Sequence, residues 1–204
     1  MGFGETKQNL LLGIEFMEGG DLFDQICKGD ICMDEEKVKS YLHQILQALV
    51  FLHAHGLAHG DMKPENLLLD QTKTVVKLAD FGSAIAPTNE VDLELPLNDA
   101  RTSAYCPPEL LLGEMYDASS DMWAVGCILY VLLNRKHPFD PSGRSTRGQI
   151  EANIVTHESE TILRQCKHGT TSARDLLRRL LCRDKKSRWS AQEALNHPWF
   201  NSLD

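Results

Sequence analysis

The feature that most constrains the fold is a long segment whose apolar residues recur with helical spacing. The segment starts with the acidic run Asp34–Glu36 and ends at Gly56. Its apolar positions share one face of a helix: Val38, Tyr41, Leu42, Ile45, Leu46, Leu49 and Leu52. Acidic side chains favour the positive end of the helix dipole, and a glycine can end a helix. The segment therefore predicts an amphipathic helix that buries one face.

Short strands are predicted on both sides of this helix. The apolar run Leu10–Phe16 is typical of a buried strand, and Asp21 is expected to cap a short helix after it. Further along, Leu67–Leu69 and Val75–Leu78 flank a polar turn. Two short apolar runs around such a turn predict a β-hairpin.

Helical patterns dominate the chain after Ser119. The longest apolar run, Trp123–Leu133, is shorter than the roughly 20 residues that a membrane-spanning helix needs, so it predicts a buried core helix. Ser172–Asp175 and Ser190–Glu193 resemble capping boxes of two later helices. Few strands followed by many helices predict an α+β, mainly α-helical fold, and 204 residues suit one domain.

Charge and cysteine content bear on partners and location. The formal net charge of -8 argues against nucleic acid or an anionic membrane as the main partner and weakly favours basic partners. Six cysteines without a Cys-x-x-Cys pair or a secretory leader predict reduced thiols in a cytoplasmic or nuclear protein. The start Met1–Thr6 fits a loose myristoylation pattern, but no basic cluster supplies a second membrane signal.

Two polar segments beside the predicted hairpin carry side chains suited to phosphoryl transfer. His59–Asn66 lies between the long helix and the hairpin, and Asp80–Gly82 directly follows the second strand. This chemistry needs an aspartate to accept or orient a hydroxyl proton, a lysine to neutralise charge, and oxygen ligands for Mg²⁺. The five-residue step from Asp61 to Asn66 lets one loop present a base and a metal ligand together.

These segments resemble the signature motifs of eukaryotic-type serine/threonine protein kinases. His59–Asn66 is similar to the catalytic loop of that family, and Asp80–Gly82 is similar to its magnesium-binding motif. Pro107–Glu109 resembles the motif that closes the activation segment, and Asp121–Trp123 resembles the start of the central buried helix. Arg188 stands where the family keeps an arginine that pairs with the glutamate of the closing motif.

The resemblance implies a chemical role for five residues. Asp61 would be the catalytic base, Lys63 would contact the γ-phosphate of ATP, and Thr102 would hydrogen-bond both side chains. Asn66 and Asp80 would hold Mg²⁺. The implied activity is transfer of the γ-phosphoryl group from Mg-ATP to a serine or threonine hydroxyl of a protein.

The resemblance also implies an adenine site. Glu15 and Met17 fall in the hinge, whose backbone would meet the adenine ring, and Leu68 would form the floor beneath it. Ile14 stands at the position that borders the back of this pocket, the family's gatekeeper.

Two further segments are most similar to the calcium/calmodulin-dependent kinase group. They are Gly19–Phe23 and Arg188–Phe200. In that group the residues matching Asp21 and Glu65, which border the nucleotide site, receive an arginine upstream of the phosphorylated residue. Two carboxylates suit a guanidinium, so we expect protein substrates with basic flanking residues.

One departure from the family pattern concerns regulation. Gly60 replaces the arginine that usually grips a phosphorylated activation segment, so we expect activity that is independent of phosphate at Thr88, Thr102 or Ser103. The acidic residues of the same segment either form a solvated face, which is favoured, or mimic a phosphate. They are Glu90, Asp92, Glu94 and Asp99.

A second departure concerns completeness. The resemblance assigns residues 1–204 to a partial kinase domain, the hinge and C-terminal lobe with an activation segment at 80–109 and the small lobe missing. Gly2–Gly4 lacks the third glycine of a phosphate-binding loop, and no ATP-clamping lysine precedes Leu10. Three interpretations follow: a fragment of a working kinase, which is favoured, a catalytically inactive kinase-like binding module, or a lobe whose lid another chain supplies.

Overall fold

The computed structural model describes residues 2–5, 10–28, 34–86 and 103–201. Within these ranges the protein has two small antiparallel sheets, each of two strands, and is otherwise mainly helical. The strands are β1 (Gly2–Glu5), β2 (Leu10–Gly13), β3 (Leu67–Leu69) and β4 (Val76–Leu78). The helices are α1 (Leu22–Lys28), α2 (Glu35–Ala54), α3 (Pro108–Leu111), α4 (Ala118–Asn134), α5 (Arg147–Thr156), α6 (Ser159–Gln165), α7 (Thr171–Leu180) and α8 (Ala191–Leu195). The predicted α+β, mainly α-helical fold is confirmed.

Helix α2 forms as its apolar pattern predicts. Asp34 caps its N-terminus, because the Asp34 carboxylate accepts a hydrogen bond of 2.8 Å from the backbone N–H of Lys37. After its last residue Ala54, the chain leaves through Gly56 with a φ of 71°. The predicted apolar face is buried and packs against α8, β4 and α4.

Helix α4 is the central core helix. Every residue from Ser120 to Leu132 is buried, and the ring of Trp123 stacks on that of Phe139 at 5.6 Å. The Asp117 side chain caps the helix by accepting a 2.8 Å bond from the backbone N–H of Ser119. No helix within the described ranges combines the length and apolar character needed to cross a membrane.

The hinge region differs from its prediction. Strand β2 covers only the first part of the apolar run and pairs with β1, a strand that the sequence analysis did not predict. The side chains of Leu11, Leu12, Ile14 and Phe16 are 58% to 83% exposed, so the prediction of a buried strand is wrong. An apolar run is buried only where a second layer of structure covers it.

The capping boxes were predicted correctly at one helix and wrongly at the other. Ser190 and Glu193 form the predicted box, with a 2.8 Å bond from the Ser190 backbone N–H to the Glu193 carboxylate. Helix α7, however, is capped by Thr170, whose hydroxyl accepts a 3.3 Å bond from the backbone N–H of Ala173. Ser172 therefore lies inside α7, and the Asp175 carboxylate contacts later residues instead of the cap.

The predicted pairing of Glu109 with Arg188 is confirmed. Two parallel hydrogen bonds of 2.6 and 3.1 Å join the guanidinium to the carboxylate, and the arginine side chain is fully buried. The guanidinium also donates to the backbone carbonyls of Cys182 and Ser119 and lies 5.1 Å from the Trp123 ring centroid. The pair therefore ties α3 to α4 and to the loop before α8.

We expect Arg188→Ala to lower the free energy of unfolding by about 3–5 kcal/mol, because it leaves the Glu109 carboxylate buried without its partner. Thermal melting should show this as a fall of roughly 6–20 °C for a domain of this size. Arg178→Ala is the matched control, since Arg178 makes a 2.9 Å bond to Glu160 from a side chain that is 49% exposed. An exposed pair is worth about 0–1 kcal/mol. An Arg188→Ala protein that melts like the wild type would refute the structural role of the pair.

Candidate active site

Three of the predicted site residues form one hydrogen-bonded cluster in the loop between α2 and β3. The ammonium of Lys63 donates to Asp61 Oδ2 at 2.6 Å. The side-chain amide of Asn66 donates to the same oxygen at 3.1 Å and to the backbone carbonyl of Asp61 at 2.7 Å. The Asp61 and Lys63 side chains are 14% and 17% exposed, so both are mostly buried but still reach solvent. Their individual roles stay predictions.

The β3–β4 hairpin brings the fourth residue, Asp80, to the same end of the site. Leu67 pairs with Leu78, and the backbone N–H of Ala79 donates to the Asn66 carbonyl at 2.9 Å. Asp80 follows directly, with an exposed carboxylate and a left-handed backbone (φ 60°, ψ 75°). The pairing therefore places the backbones of Asn66 and Asp80 next to each other.

This pair of side chains fits Mg²⁺ chemically. The amide nitrogen of Asn66 is used by Asp61, which leaves its amide oxygen as the atom for a cation. The Asp80 carboxylate accepts a 3.2 Å bond from the backbone N–H of Gly82, which holds the side chain in place. An amide oxygen and a carboxylate are ligands that Mg²⁺ takes readily, with water and phosphate oxygens completing the shell.

A buried carboxylate on α4 holds the backbone of the catalytic loop. Asp121, which is 0% exposed, accepts bonds from the backbone N–H groups of His59 at 2.8 Å and Gly60 at 3.2 Å. The hydroxyl of Tyr116 donates to it at 2.6 Å, and His53 Nε2 lies 2.9 Å away. The sequence analysis treated Asp121 only as part of a helix motif and missed this role. An acid at the start of an almost wholly apolar helix was the available signal, because a buried charge needs partners.

His59 joins the catalytic loop to the segment that carries Asp80. Its Nδ1 accepts a 3.3 Å bond from the backbone N–H of Asp61, so Nε2 carries the proton and donates to the Ala79 carbonyl at 3.0 Å. The ring also meets the Phe81 ring edge-on, with 5.2 Å between the centroids. His59 therefore contacts the segment that carries Asp80 both through a hydrogen bond and through its ring.

The segment after the hinge is paired to β3, which positions the predicted adenine site. The backbone N–H of Gly19 donates to the Leu69 carbonyl at 2.9 Å, and the N–H of Leu69 donates to the Gly20 carbonyl at 2.8 Å. A Cβ on Gly19 would lie 2.2 Å from the Asp70 carbonyl oxygen, so only glycine allows this approach. An isolated bridge then places Asp21 opposite Leu68. The predicted floor residue therefore lies beside the predicted acidic residue.

The predicted hinge residues lie on the exposed side of this arrangement. The Glu15 side chain forms an ion pair with Lys77 of β4, which ties the hinge to the hairpin. Met17 is half-buried two residues further on. The contact of Glu15 and Met17 with adenine stays a prediction.

Glu65 lies in a short turn, Pro64–Asn66, against which α1 packs. Burial raises the pKa of Tyr105 first, and the negative charge of Glu65 raises it further. Asp21 lies at the start of α1, so α1 and this turn carry two carboxylates on adjoining elements and form an acidic edge.

The remaining predictions on the activation segment fall outside the described residues. Thr102 is one of them, so its expected hydrogen bonds to Asp61 and Lys63 stay predictions. The same holds for Thr88 and for the acidic residues Glu90, Asp92, Glu94 and Asp99.

His137 is a second residue that the sequence analysis missed. Its ring packs edge-on against Tyr105 at 5.2 Å, and its Nδ1 accepts a 3.3 Å bond from the backbone N–H of Phe139. Burial lowers the pKa of His137 to about 4, although nearby Asp140 and the Ala104 backbone favour the protonated form. A neutral imidazole therefore supports the end of the activation segment at physiological pH.

Comparison with known proteins agrees with the geometry. The family model for the protein kinase domain matches residues 1–200. Serine/threonine-protein kinase PKZ1 of Phytophthora infestans is 35% identical over 212 residues, which cover 96% of this chain and 52% of that protein. The human SNF-related serine/threonine-protein kinase is 35% identical over 207 residues, which cover 98% of this chain and 25% of that protein. The chain thus spans about half the length of the first relative, and less of the second.

A further relative fits the resemblance to the calcium/calmodulin-dependent group. The death-associated protein kinase dapk-1 of Caenorhabditis elegans is 32% identical over 197 residues, which cover 96% of this chain and 13% of that protein.

We expect Asp121→Asn to destabilise the catalytic loop. One carboxylate oxygen would become an amide nitrogen, which cannot accept the hydrogen bond that a backbone N–H now donates. The loss of charge-assisted bonds should cost about 2–4 kcal/mol of unfolding free energy. Hydrogen exchange should accelerate most at the backbone amides of His59 and Gly60. Asp117→Asn is the control, since asparagine caps a helix as well as aspartate does. Unchanged exchange at these two amides would contradict the role of Asp121.

Proposed function

The chain belongs to the protein kinase family, and on this basis we propose that it is the catalytic lobe of a serine/threonine kinase that uses Mg-ATP. It transfers the γ-phosphoryl group to a serine or threonine hydroxyl of a protein. The observation that carries the proposal is the cluster of Asp61, Lys63 and Asn66 beside the backbone of Asp80. These are the side-chain types that phosphoryl transfer needs, and two adjoining loops carry them.

Asp61 is the group that accepts or orients the proton of the substrate hydroxyl. Its Oδ2 already receives hydrogen bonds from Lys63 and Asn66, so Oδ1 is the atom left for the substrate within the described part of the chain. The Asn66 bond to the Asp61 carbonyl also fixes the loop backbone around the base. The carboxylate is thereby held in one orientation before it meets a hydroxyl, which lowers the entropic cost of the reaction.

Lys63 and the two proposed metal-binding residues neutralise the negative charge of the ATP phosphates. The Lys63 ammonium lies 2.6 Å from the base, so one cation can neutralise the transferred phosphoryl group next to the attacking oxygen. Asn66 and Asp80 would hold Mg²⁺, which supplies charge neutralisation of the ATP phosphates when bound. The side chains of Asn66 and Asp80 each make a local hydrogen bond, which limits the ordering needed on binding.

A non-catalytic binding module is the second candidate. The exposed apolar side chains around the hinge favour it, because they leave the adenine side of the site open: Leu11, Leu12, Ile14 and Phe16. These 204 residues hold no glycine-rich loop or clamping lysine before the hinge. Catalysis remains the preferred proposal because Asp61, Lys63, Asn66 and Asp80 are all present, and the first three are joined by hydrogen bonds.

We expect Asp61→Asn to lower the rate of phosphoryl transfer by about 10²–10⁴-fold, the usual contribution of a positioned acid–base group. The measurement is transfer of labelled γ-phosphate from Mg-ATP to a protein substrate, together with direct measurement of Mg-ATP binding. Asp34→Asn is the control, because asparagine can replace aspartate as a helix cap. Equal rates for Asp61→Asn and the wild type would refute the role of the base. A wild-type protein that transfers no phosphate would favour the binding module.

The acidic edge near the site supports a preference for basic substrates. Glu65 is exposed in its turn, and Asp21 lies at the start of α1, which packs against that turn. The Asp21 side chain accepts a 2.7 Å bond from the backbone N–H of Asp24, which fixes it at the helix start. Carboxylates on two adjoining elements can bind a guanidinium with charge-assisted hydrogen bonds.

We expect a peptide with an arginine upstream of its serine to be phosphorylated about 10–100-fold more efficiently than the same peptide with glutamine there. That ratio corresponds to about 1.5–3 kcal/mol for a hydrogen bond to a charged group. Glu65→Gln should reduce the ratio mainly through KM, while Glu160→Gln, an exposed acid in α6, should leave it unchanged. Equal efficiency for both peptides with the wild type would remove the proposed preference.

A further inference from the structure

The backbone of Gly60 lies against the backbone of Ser83. Gly60 has a φ of +86°, and a Cβ built on it would lie 2.0 Å from the Ser83 carbonyl oxygen and 2.8 Å from its carbonyl carbon. Real Cβ atoms essentially never come within 3.0 Å of another heavy atom, so only glycine permits this contact. We propose that Gly60 is a positioning residue: its missing side chain lets the Ser83 backbone dock on the catalytic loop, and this docking places Asp80.

The contact lies two residues from a single antiparallel bridge that joins the two segments. The backbone N–H of Ala58 donates to the Ile85 carbonyl at 2.9 Å, and the N–H of Ile85 donates to the Ala58 carbonyl at 2.9 Å. In an antiparallel pair, the residue two after Ala58 lies opposite the residue two before Ile85. Gly60 therefore faces Ser83 because of the register of this bridge. The close approach is part of a pairing that involves both segments.

The docking reaches Asp80 through a single tight turn. Ser83 is the last residue of the turn Phe81–Ser83, and the Asp80 carboxylate caps that turn by accepting from the Gly82 N–H. The backbone N–H of Ala84 closes it by donating to the Phe81 carbonyl at 3.0 Å. A displacement of Ser83 therefore moves the whole turn, and with it the carboxylate of Asp80.

The other end of the turn is fixed by the same loop. His59, the neighbour of Gly60, donates to the Ala79 carbonyl and packs on the Phe81 ring. Its backbone and that of Gly60 are held by Asp121. Residues 58–60 therefore contact the segment 79–85 at both of its ends, at Ala79 and at Ile85. Kinases that this chain resembles usually have an arginine at position 60. In this chain the backbone of Gly60 makes the contact, so the placement of Asp80 requires no side chain there.

The inference rests on the proposed function only for its catalytic consequence, the placement of a magnesium ligand. Hydrogen exchange tests the docking itself without any activity. In Gly60→Ala, exchange at the amides of Ala58 and Ile85 should accelerate by about tenfold or more, because the bridge between these two residues opens locally. Exchange in the middle of α4 should stay unchanged, which shows that the core remains folded.

Two glycine variants separate the contact from other effects. Gly113→Ala carries the same backbone strain, because Gly113 has a φ of +93° but no atom within 4 Å of a built Cβ. Gly148→Ala in α5 has open space and no positive φ. Both controls should keep slow exchange at Ala58 and Ile85. Rates for Gly60→Ala within twofold of those for Gly113→Ala would overturn the proposal.

The catalytic consequence is measured as the Mg²⁺ concentration that gives half-maximal phosphoryl transfer. Gly60→Ala should raise it about 10–100-fold, the usual effect of disturbing residues that orient a metal ligand, whereas Gly113→Ala should not change it. An unchanged Mg²⁺ requirement would overturn the link from Ser83 to Asp80. A wild-type protein without transfer activity would count against the proposed function and leave the exchange result intact.

A second variant covers the case in which Gly60→Ala does not fold. Ile85→Pro keeps Gly60 and removes the N–H that donates to the Ala58 carbonyl. It should also accelerate exchange at Ala58 and raise the Mg²⁺ requirement. Slow exchange at Ala58 in Ile85→Pro, with an unchanged Mg²⁺ requirement, would overturn the proposal.

Discussion

The carboxylate of Asp121 is the interaction on which the candidate site depends. The loop from His59 to Asn66 is irregular in its first half, so its N–H groups need partners that no helix or sheet provides. Asp121 supplies them from inside the core, on a helix that is itself capped by Asp117 and held by the stacking of Arg188 on Trp123. The orientation of the catalytic side chains therefore depends on how the interior of the protein packs.

The sequence predicts well what is decided locally. The face of α2 follows from its repeat, and the cap at Asp34 follows from residue type at a helix start. Asp61 and Asn66 come together because five residues of one loop bring them there. The pairing of Glu109 with Arg188, which are far apart in the chain, was available only because the motifs resemble those of a known family.

What the sequence does not predict depends on neighbours distant in the chain. The run at Leu11 and Leu12 is apolar, yet its burial depends on a covering layer that the described residues do not include. Thr170 caps α7 in place of Ser172 and also bonds the Glu35 carboxylate of another helix, a contact with no local signal. The hydrogen bonds of Asp121 to a loop about 60 residues earlier have none either.

The paired strands β1 and β2 have a consequence for the protein in concentrated solution. Within the described residues they form a sheet of only two strands, so the outer edge of each leaves backbone donors and acceptors free for pairing. Apolar side chains such as Leu12 project from the same ribbon into water. Edge-to-edge addition of one molecule to another would begin at this ribbon, and a charged residue placed on it would improve colloidal behaviour without altering the loop that carries Asp61.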